Sequence, residues 1–328
     1  MLSILATAGL SLLLYLTGVF IFLTPFPILL HCVRRGASSA ATSLLLGLVL
    51  LAFLYRLPSS WSVFLPFFSL SDRLGIFAST FLGLLYFFSY GWIGLTVATA
   101  ARRSLSVEKG IMILVAVTVG VPLAIFFLAA HFYGFEIVSE IRTFISDTLQ
   151  KMVLLQEQSG LGEEELLTLK GFAATAVDHI LVLLPAIVIN FTLVTLSLNI
   201  LFLRRWIRTE RLFPSWADLS LWQFQERWIW LPIGVGLGYF INLYLLQNPV
   251  LAAIFLNVLI VLAAVYLYQG LAVVLFFLQK RLSPWSRIFA YFAILLFIQL
   301  MAVVIIALGL FDFWFDFRKL KKVVSPAG

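Results

Sequence analysis

Residues 250–278 read VLAAIFLNVLIVLAAVYLYQGLAVVLFFL, from Val250 to Leu278, without one charged side chain. Helix crosses a hydrocarbon core of ~30 Å with about 20 apolar residues, so this run is more than long enough for one straight crossing. Gln269-Gly270 inside it marks a kink or a break. At least seven stretches of the 328-residue chain reach the spanning length, and short charged segments separate them. Composition agrees, since 62% of residues are hydrophobic and 11% charged, against about a quarter charged in a water-soluble domain. These features define an all-α polytopic transmembrane bundle.

Eight spans are expected, at about 4–23, 37–55, 74–101, 111–130, 180–203, 229–246, 250–278 and 288–311. They make one integral membrane domain over residues 1–328, with an extramembrane connection at 133–178. The first run lacks a basic leader and a small-residue cleavage site. It continues into Thr24-Pro25-Phe26-Pro27, so it reads as a retained span that the prolines break or kink near one membrane face. Trp61–Leu70 is apolar but only half a span, an interfacial or re-entrant piece.

The net charge of +7 does not point to nucleic acid, because the basic residues cluster at the ends of apolar runs. Placing the connections after spans 1, 3, 5 and 7 in the cytoplasm puts there Arg34, Arg35, Arg102, Arg103, Lys109, Arg204, Arg205, Arg208, Arg211, Arg227, Lys280, Arg281 and Arg287. These are thirteen of the 22 basic residues. The 133–178 connection, with eight acids and three bases, then lies outside. The same parity puts the basic tail, Arg318, Lys319, Lys321 and Lys322, outside as well, and it is the one discordant piece.

In the outer connection Ile137, Val138, Ile141, Phe144, Ile145, Leu149, Met152 and Val153 recur at helical spacing, which predicts an amphipathic helix. Ser159-Gly160-Leu161-Gly162 ends it, and Glu163, Glu164 and Glu165 fill the first turn of a second helix. The hairpin is either interfacial or a lid over a cavity. Asp178 and His179 at the start of span 5 form either a pH-sensitive pair or a solvated helix start.

Polar residues inside spans are where function is expected, because an unpaired polar group in hydrocarbon is costly. They are Asn190, Asn242, Asn257, Gln269 and Gln299; none is ionisable, which disfavours a proton relay. Such amides either join helices or contact a polar solute. Small residues at four-residue steps, Gly234, Gly238 and Asn242 in span 6 and Gly75, Ser79 and Gly83 in span 3, predict tight crossings. Gly234-Val235-Gly236-Leu237-Gly238 follows no strand and is not a phosphate loop. Cys32 stands alone, the three histidines are scattered, and no hydrolase or nucleotide-binding motif occurs. No enzyme activity, cofactor or metal is expected.

The run Gly309-Leu310-Phe311-Asp312-Phe313-Trp314-Phe315-Asp316-Phe317-Arg318 is too particular for a generic helix end. It resembles the YybS-like family of bacterial polytopic membrane proteins, which tends to end in Gly-x-x-Asp-x-Trp-x-x-Phe-Arg. Tyr268-Gln269-Gly270-Leu271-Ala272-Val273-Val274 and Pro25-Phe26-Pro27 followed by Arg35-Gly36 are similar too, and the likeness covers nearly the whole chain. From the residues alone, Phe311, Phe313, Trp314, Phe315 and Phe317 form an aromatic belt, and Asp312 or Asp316 pairs with Arg318.

At fold level that family is similar to the substrate-binding membrane subunits of energy-coupling-factor vitamin transporters and to a rod-shape-determining membrane subunit. The first likeness implies capture of a small molecule with the help of ATPase or other membrane partner subunits; the second implies a scaffold for envelope-building machinery. One departure is the first helix, which has Thr7 and Ser11 where the transporters carry an Ala-x-x-x-Ala docking stripe. The expectation is therefore a protein of the bacterial cytoplasmic (inner) membrane, in contact with the lipid bilayer, acting as a transport-related substrate-binding or permease-like subunit. Asn190, Asn257, Gln269 and Gln299 are its candidate substrate-binding residues. The alternative is a non-catalytic membrane scaffold. A cavity lined by the four amides favours the former, and amides paired in a filled core favour the latter.

Overall fold

A computed structural model describes residues 1–56, 71–100, 107–134, 136–160, 162–207 and 220–320. The expected half-span at Trp61–Leu70 lies outside them. The described residues form helices and no strand. They are α1 (Leu2–Leu16), α2 (Pro25–Arg35), α3 (Ala37–Leu54), α4 (Ser71–Ala100), α5 (Val107–Tyr133), α6 (Ile137–Gln158), α7 (Glu163–Trp206), α8 (Trp230–Ile241), α9 (Pro249–Arg281), α10 (Pro284–Leu296) and α11 (Ile298–Phe315). Among the described residues seven helices are long and apolar enough to cross a membrane. Two contact-defined units divide the chain: Met1–Phe135 with Phe191–Ala217, and Glu136–Asn190 with Asp218–Gly328.

Two of the eight expected spans are not single helices. The first is broken. α1 has 15 residues, about 22 Å of helix and short of a crossing. A 3₁₀ turn at Ile21–Leu23 follows, and α2 then runs back along α1. Ser11 Oγ donates to the Thr24 carbonyl at 2.7 Å, and His31 Nδ1 lies 3.1 Å from Thr7 Oγ1. The Thr7 hydroxyl already donates to the Ser3 carbonyl, so it accepts from His31 Nδ1–H, and the Ser39 hydroxyl donates to Nε2. Met1 and Arg35 therefore come to the same end of this unit, where the sequence pattern had separated them by a bilayer. The last span is also broken, at Phe297, which divides α10 from α11. Conversely, α9 runs unbroken for 33 residues through Gln269-Gly270.

In the first unit α4 packs on α2 and α3. A methyl on Gly94 would sit 2.7 Å from the Pro25 carbonyl oxygen, so this close helix contact depends on glycine. Ser79 is buried and the Tyr55 ring covers Gly83, which bears out that part of the small-residue stripe. The surroundings of Gly75 lie outside the described residues.

In the second unit α6 pairs with the first half of α7. The pattern predicts a new helix near Asp178, but α7 is one helix of 44 residues, about 66 Å. With no Gly or Pro between Phe172 and Leu184, nothing interrupts the backbone where the polarity changes. Arg142 pairs with Asp178, and Lys170 with Glu157 at 3.6 Å, joining the hairpin. Both pairs are largely exposed and contribute at most about 1 kcal/mol each. The α8–α9 turn is closed by two amides: Asn242 Nδ2 donates to the Asn248 carbonyl at 3.0 Å, and Asn248 N–H to Asn242 Oδ1 at 3.2 Å. Asn248 also caps α9 by accepting from Val250 and Leu251. Of the stripe expected on span 6, Gly238 packs against Phe255 and Asn242 is buried at the turn, whereas Gly234 faces open space.

Candidate functional site

Of the four predicted solute ligands, Asn257 is fully engaged in holding helices together. Pro185 inside α7 has no N–H and crowds the preceding turn. The Asn257 carboxamide enters that turn. Its Oδ1 accepts from Ala186 N–H at 2.9 Å, and its Nδ2 donates to the carbonyls of Val182 at 2.7 Å and Ala253 at 2.8 Å. Residues 182 and 186 are the pair that an unbroken helix ladder joins. Asn257→Ala is expected to cost about 1 kcal/mol, read as a lower thermal midpoint in detergent. An unchanged midpoint would show that the bridge is not structural.

Asn190 makes one long bond, Nδ2 to the Ile260 carbonyl at 3.4 Å, and its Oδ1 has no partner among the described residues. Gln269 is fully buried, and neither of its amide atoms has a partner among the described residues. Gln299 is exposed in the first turn of α11. These residues are not gathered around the described cavity. That cavity, about 540 Å³, is a groove between α6 and α7 floored by Leu149, Val153, Ala173 and Val177 with Glu157 and Lys170 at its edge. Asp178 and His179 do not pair: Asp178 bonds Arg142, and His179 Nδ1 meets the Thr175 carbonyl.

A more concentrated polar site lies at the break between α1 and α2. Thr24 and Asn199 are both fully buried. Asn199 Nδ2 donates at 2.7 Å to the carbonyls of Phe22 and Thr195, which uses both of its N–H bonds. Two acceptors on one nitrogen also fix the amide orientation. Its Oδ1, held on the same carboxamide, therefore sits at the break, and it has no partner among the described residues. Thr24 Oγ1 is likewise unpartnered. Asn199 is not among the expected polar residues, because nothing in the sequence connects it to Phe22, 177 positions earlier. The Thr24-Pro25-Phe26-Pro27 run was the only available signal.

The end of α11 carries a second polar cluster. Asp316 is left-handed (φ 43°), and the chain turns back. Arg318 Nη2 then reaches Asp312 Oδ2 at 2.7 Å, with both side chains essentially without solvent exposure. Arg318 Nη1 donates to the carbonyls of Ser220 at 2.7 Å and Trp222 at 2.9 Å. Asp316 instead accepts from Leu320 N–H. The tail and the segment leading into α8 thus touch, which overturns the parity that placed them on opposite faces. Of the residues of the expected aromatic belt, Phe311, Trp314 and Phe315 are exposed, whereas Phe313 is buried against Ile229 and Tyr266.

Just before this clasp α9 and α11 cross at two glycines. A methyl on Gly270 would overlap the Ile305 carbonyl, and one on Gly309 the Tyr266 carbonyl and Gly270 nitrogen. Backbones this close gain dispersion and weak Cα–H···O contacts, which in lipid are the main forces between helices.

A family model described as "Predicted membrane protein (DUF2232)" matches residues 73–313, well over half of the chain. No curated protein and no solved structure matches.

Proposed function

We propose, from the premise that this chain belongs to the DUF2232 family of predicted membrane proteins, that it is a transport-related subunit which binds a small polar solute within the bilayer. One observation carries the reading: the first apolar run is broken, and the break holds two fully buried polar oxygens, on Thr24 and Asn199, that have no partner among the described residues. Unpaired polar groups at membrane depth are costly, and non-helical backbone there occurs where it is buried in protein or lines a water-filled cavity. Discontinuous helices of this kind line solute and ion sites in secondary transporters. The likeness to the YybS-like family and, more remotely, to substrate-binding subunits of energy-coupling-factor transporters points the same way, and the location proposed with it is the bacterial inner membrane. Without a nucleotide-binding motif in this chain, ATP-driven uptake requires a partner ATPase.

The second reading, a non-catalytic scaffold, is favoured by Asn257, whose amide joins α7 to α9. Mass spectrometry of the protein gently extracted from its native membrane separates the two. Retention of a polar small molecule or an ATPase in near-stoichiometric amount, with the small molecule lost from Asn199→Ala, supports transport. Envelope proteins without a small molecule support the scaffold.

A further inference from the structure

We infer that the break between α1 and α2 is a site for a monovalent metal cation, with Na⁺ as the probe ion. The inference rests on the solute-binding reading and names the chemistry of that site. The groups at the break are mostly acceptors, and the Thr24 hydroxyl, which can turn its own proton away from an ion, is the side chain there whose donor is unspent. Asn199 spends both N–H bonds on the Phe22 and Thr195 carbonyls, which leaves Oδ1 as its free atom. Ser11 spends its proton on the Thr24 carbonyl, and Thr195 spends its own on the Phe191 carbonyl.

A helix amino terminus ordinarily offers N–H groups to an anion. Here Pro25 and Pro27 remove two of those donors from the first turn of α2. Pro27 also has no hydrogen for the Leu23 carbonyl, the residue it would pair with four positions back. Thr24 Oγ1 and Asn199 Oδ1 are left without a partner among the described residues, and the Phe22 and Leu23 carbonyls belong to the same break. An acceptor-rich, donor-poor break selects a cation, and unwound carbonyls of discontinuous helices coordinate Na⁺ in this manner. None of these oxygens belongs to a carboxylate, which disfavours a divalent ion, because neutral oxygens do not repay its desolvation.

The test is thermal unfolding of the purified full-length protein in detergent, with NaCl titrated against choline chloride at constant ionic strength. The expected result is a saturable rise of about 2–4 °C in Na⁺. It should be absent in Asn199→Ala and in the near-isosteric Thr24→Val, and retained in Asn257→Ala. Equal midpoints in Na⁺ and choline would overturn the inference and assign the orphan oxygens to a buried water. A Na⁺ effect that survives both substitutions at the break would overturn it equally. A polar molecule that co-purifies and is lost with Asn199→Ala, without any Na⁺ effect, would sink the cation site alone and leave the solute-binding reading standing.

Discussion

Arg318→Ala is expected to destabilise the second unit by about 3–5 kcal/mol, because it leaves the Asp312 carboxylate buried without its counter-charge. The side chains of the pair are 0% and 1% exposed, so water cannot replace the guanidinium. The same substitution strips donors from the carbonyls of Ser220 and Trp222. Asp312→Ala is expected to cost a similar amount by stranding the arginine. The double variant should be less unstable than the sum of the two, since removing both charges leaves neither uncompensated. Arg318→Lys should not rescue, because one ammonium cannot reproduce a fork that reaches Asp312, Ser220 and Trp222 together. Thermal unfolding of the four proteins in one detergent gives the cycle. Additive losses would mean that the pair is not a unit.

The second large effect is expected at the α9–α11 crossing. Gly270→Ala and Gly309→Ala each place a methyl into the backbone of the facing helix. Backbone cannot rotate aside as a side chain does, so the cost should reach or exceed the upper end of the usual 1–3 kcal/mol for overpacking. Gly234→Ala is the control. It lies in a helix too, but its methyl meets nothing within 4 Å, and replacing helical glycine stabilises by about 0.5–1 kcal/mol. Thermal midpoints that fall for the first two and hold or rise for the third would establish the close crossing. Equal behaviour at all three positions would refute it.

Much of the architecture was legible in the apolar runs, because span length is a property of a single segment. The central spans, the turn of the outer hairpin and the acidic start of α7 all followed from local pattern. Errors arose where polarity and backbone continuity part company. Asp178 and His179 look like a boundary, yet no residue there breaks the helix, so α7 continues. Gln269-Gly270 looks like an interruption, yet the glycine serves contact with α11 rather than a bend. Pro25 and Pro27 did announce the break in the first run, but its depth depends on α2 folding back along α1, a tertiary fact.

The polar site was harder to read for the same reason. Asn257 looks like a solute ligand until Pro185, 72 positions earlier, shows what it repairs. Asp312 and Asp316 were both candidates for Arg318. The left-handed turn at Asp316 decides between them by pointing the chain back at Asp312.

The site at the break requires that α1 and α2 form a broken pair that enters and leaves by one face. In a Cys32→Ser background, which removes the single cysteine, Leu2→Cys and Ser38→Cys place one thiol at each end of the pair, both at exposed positions. A membrane-impermeant maleimide, applied to right-side-out and to inverted vesicles, reports the face of each. Labelling of both thiols from the same face is the predicted result. Labelling from opposite faces would show that the first run crosses the bilayer, and the site at its break would fall with it.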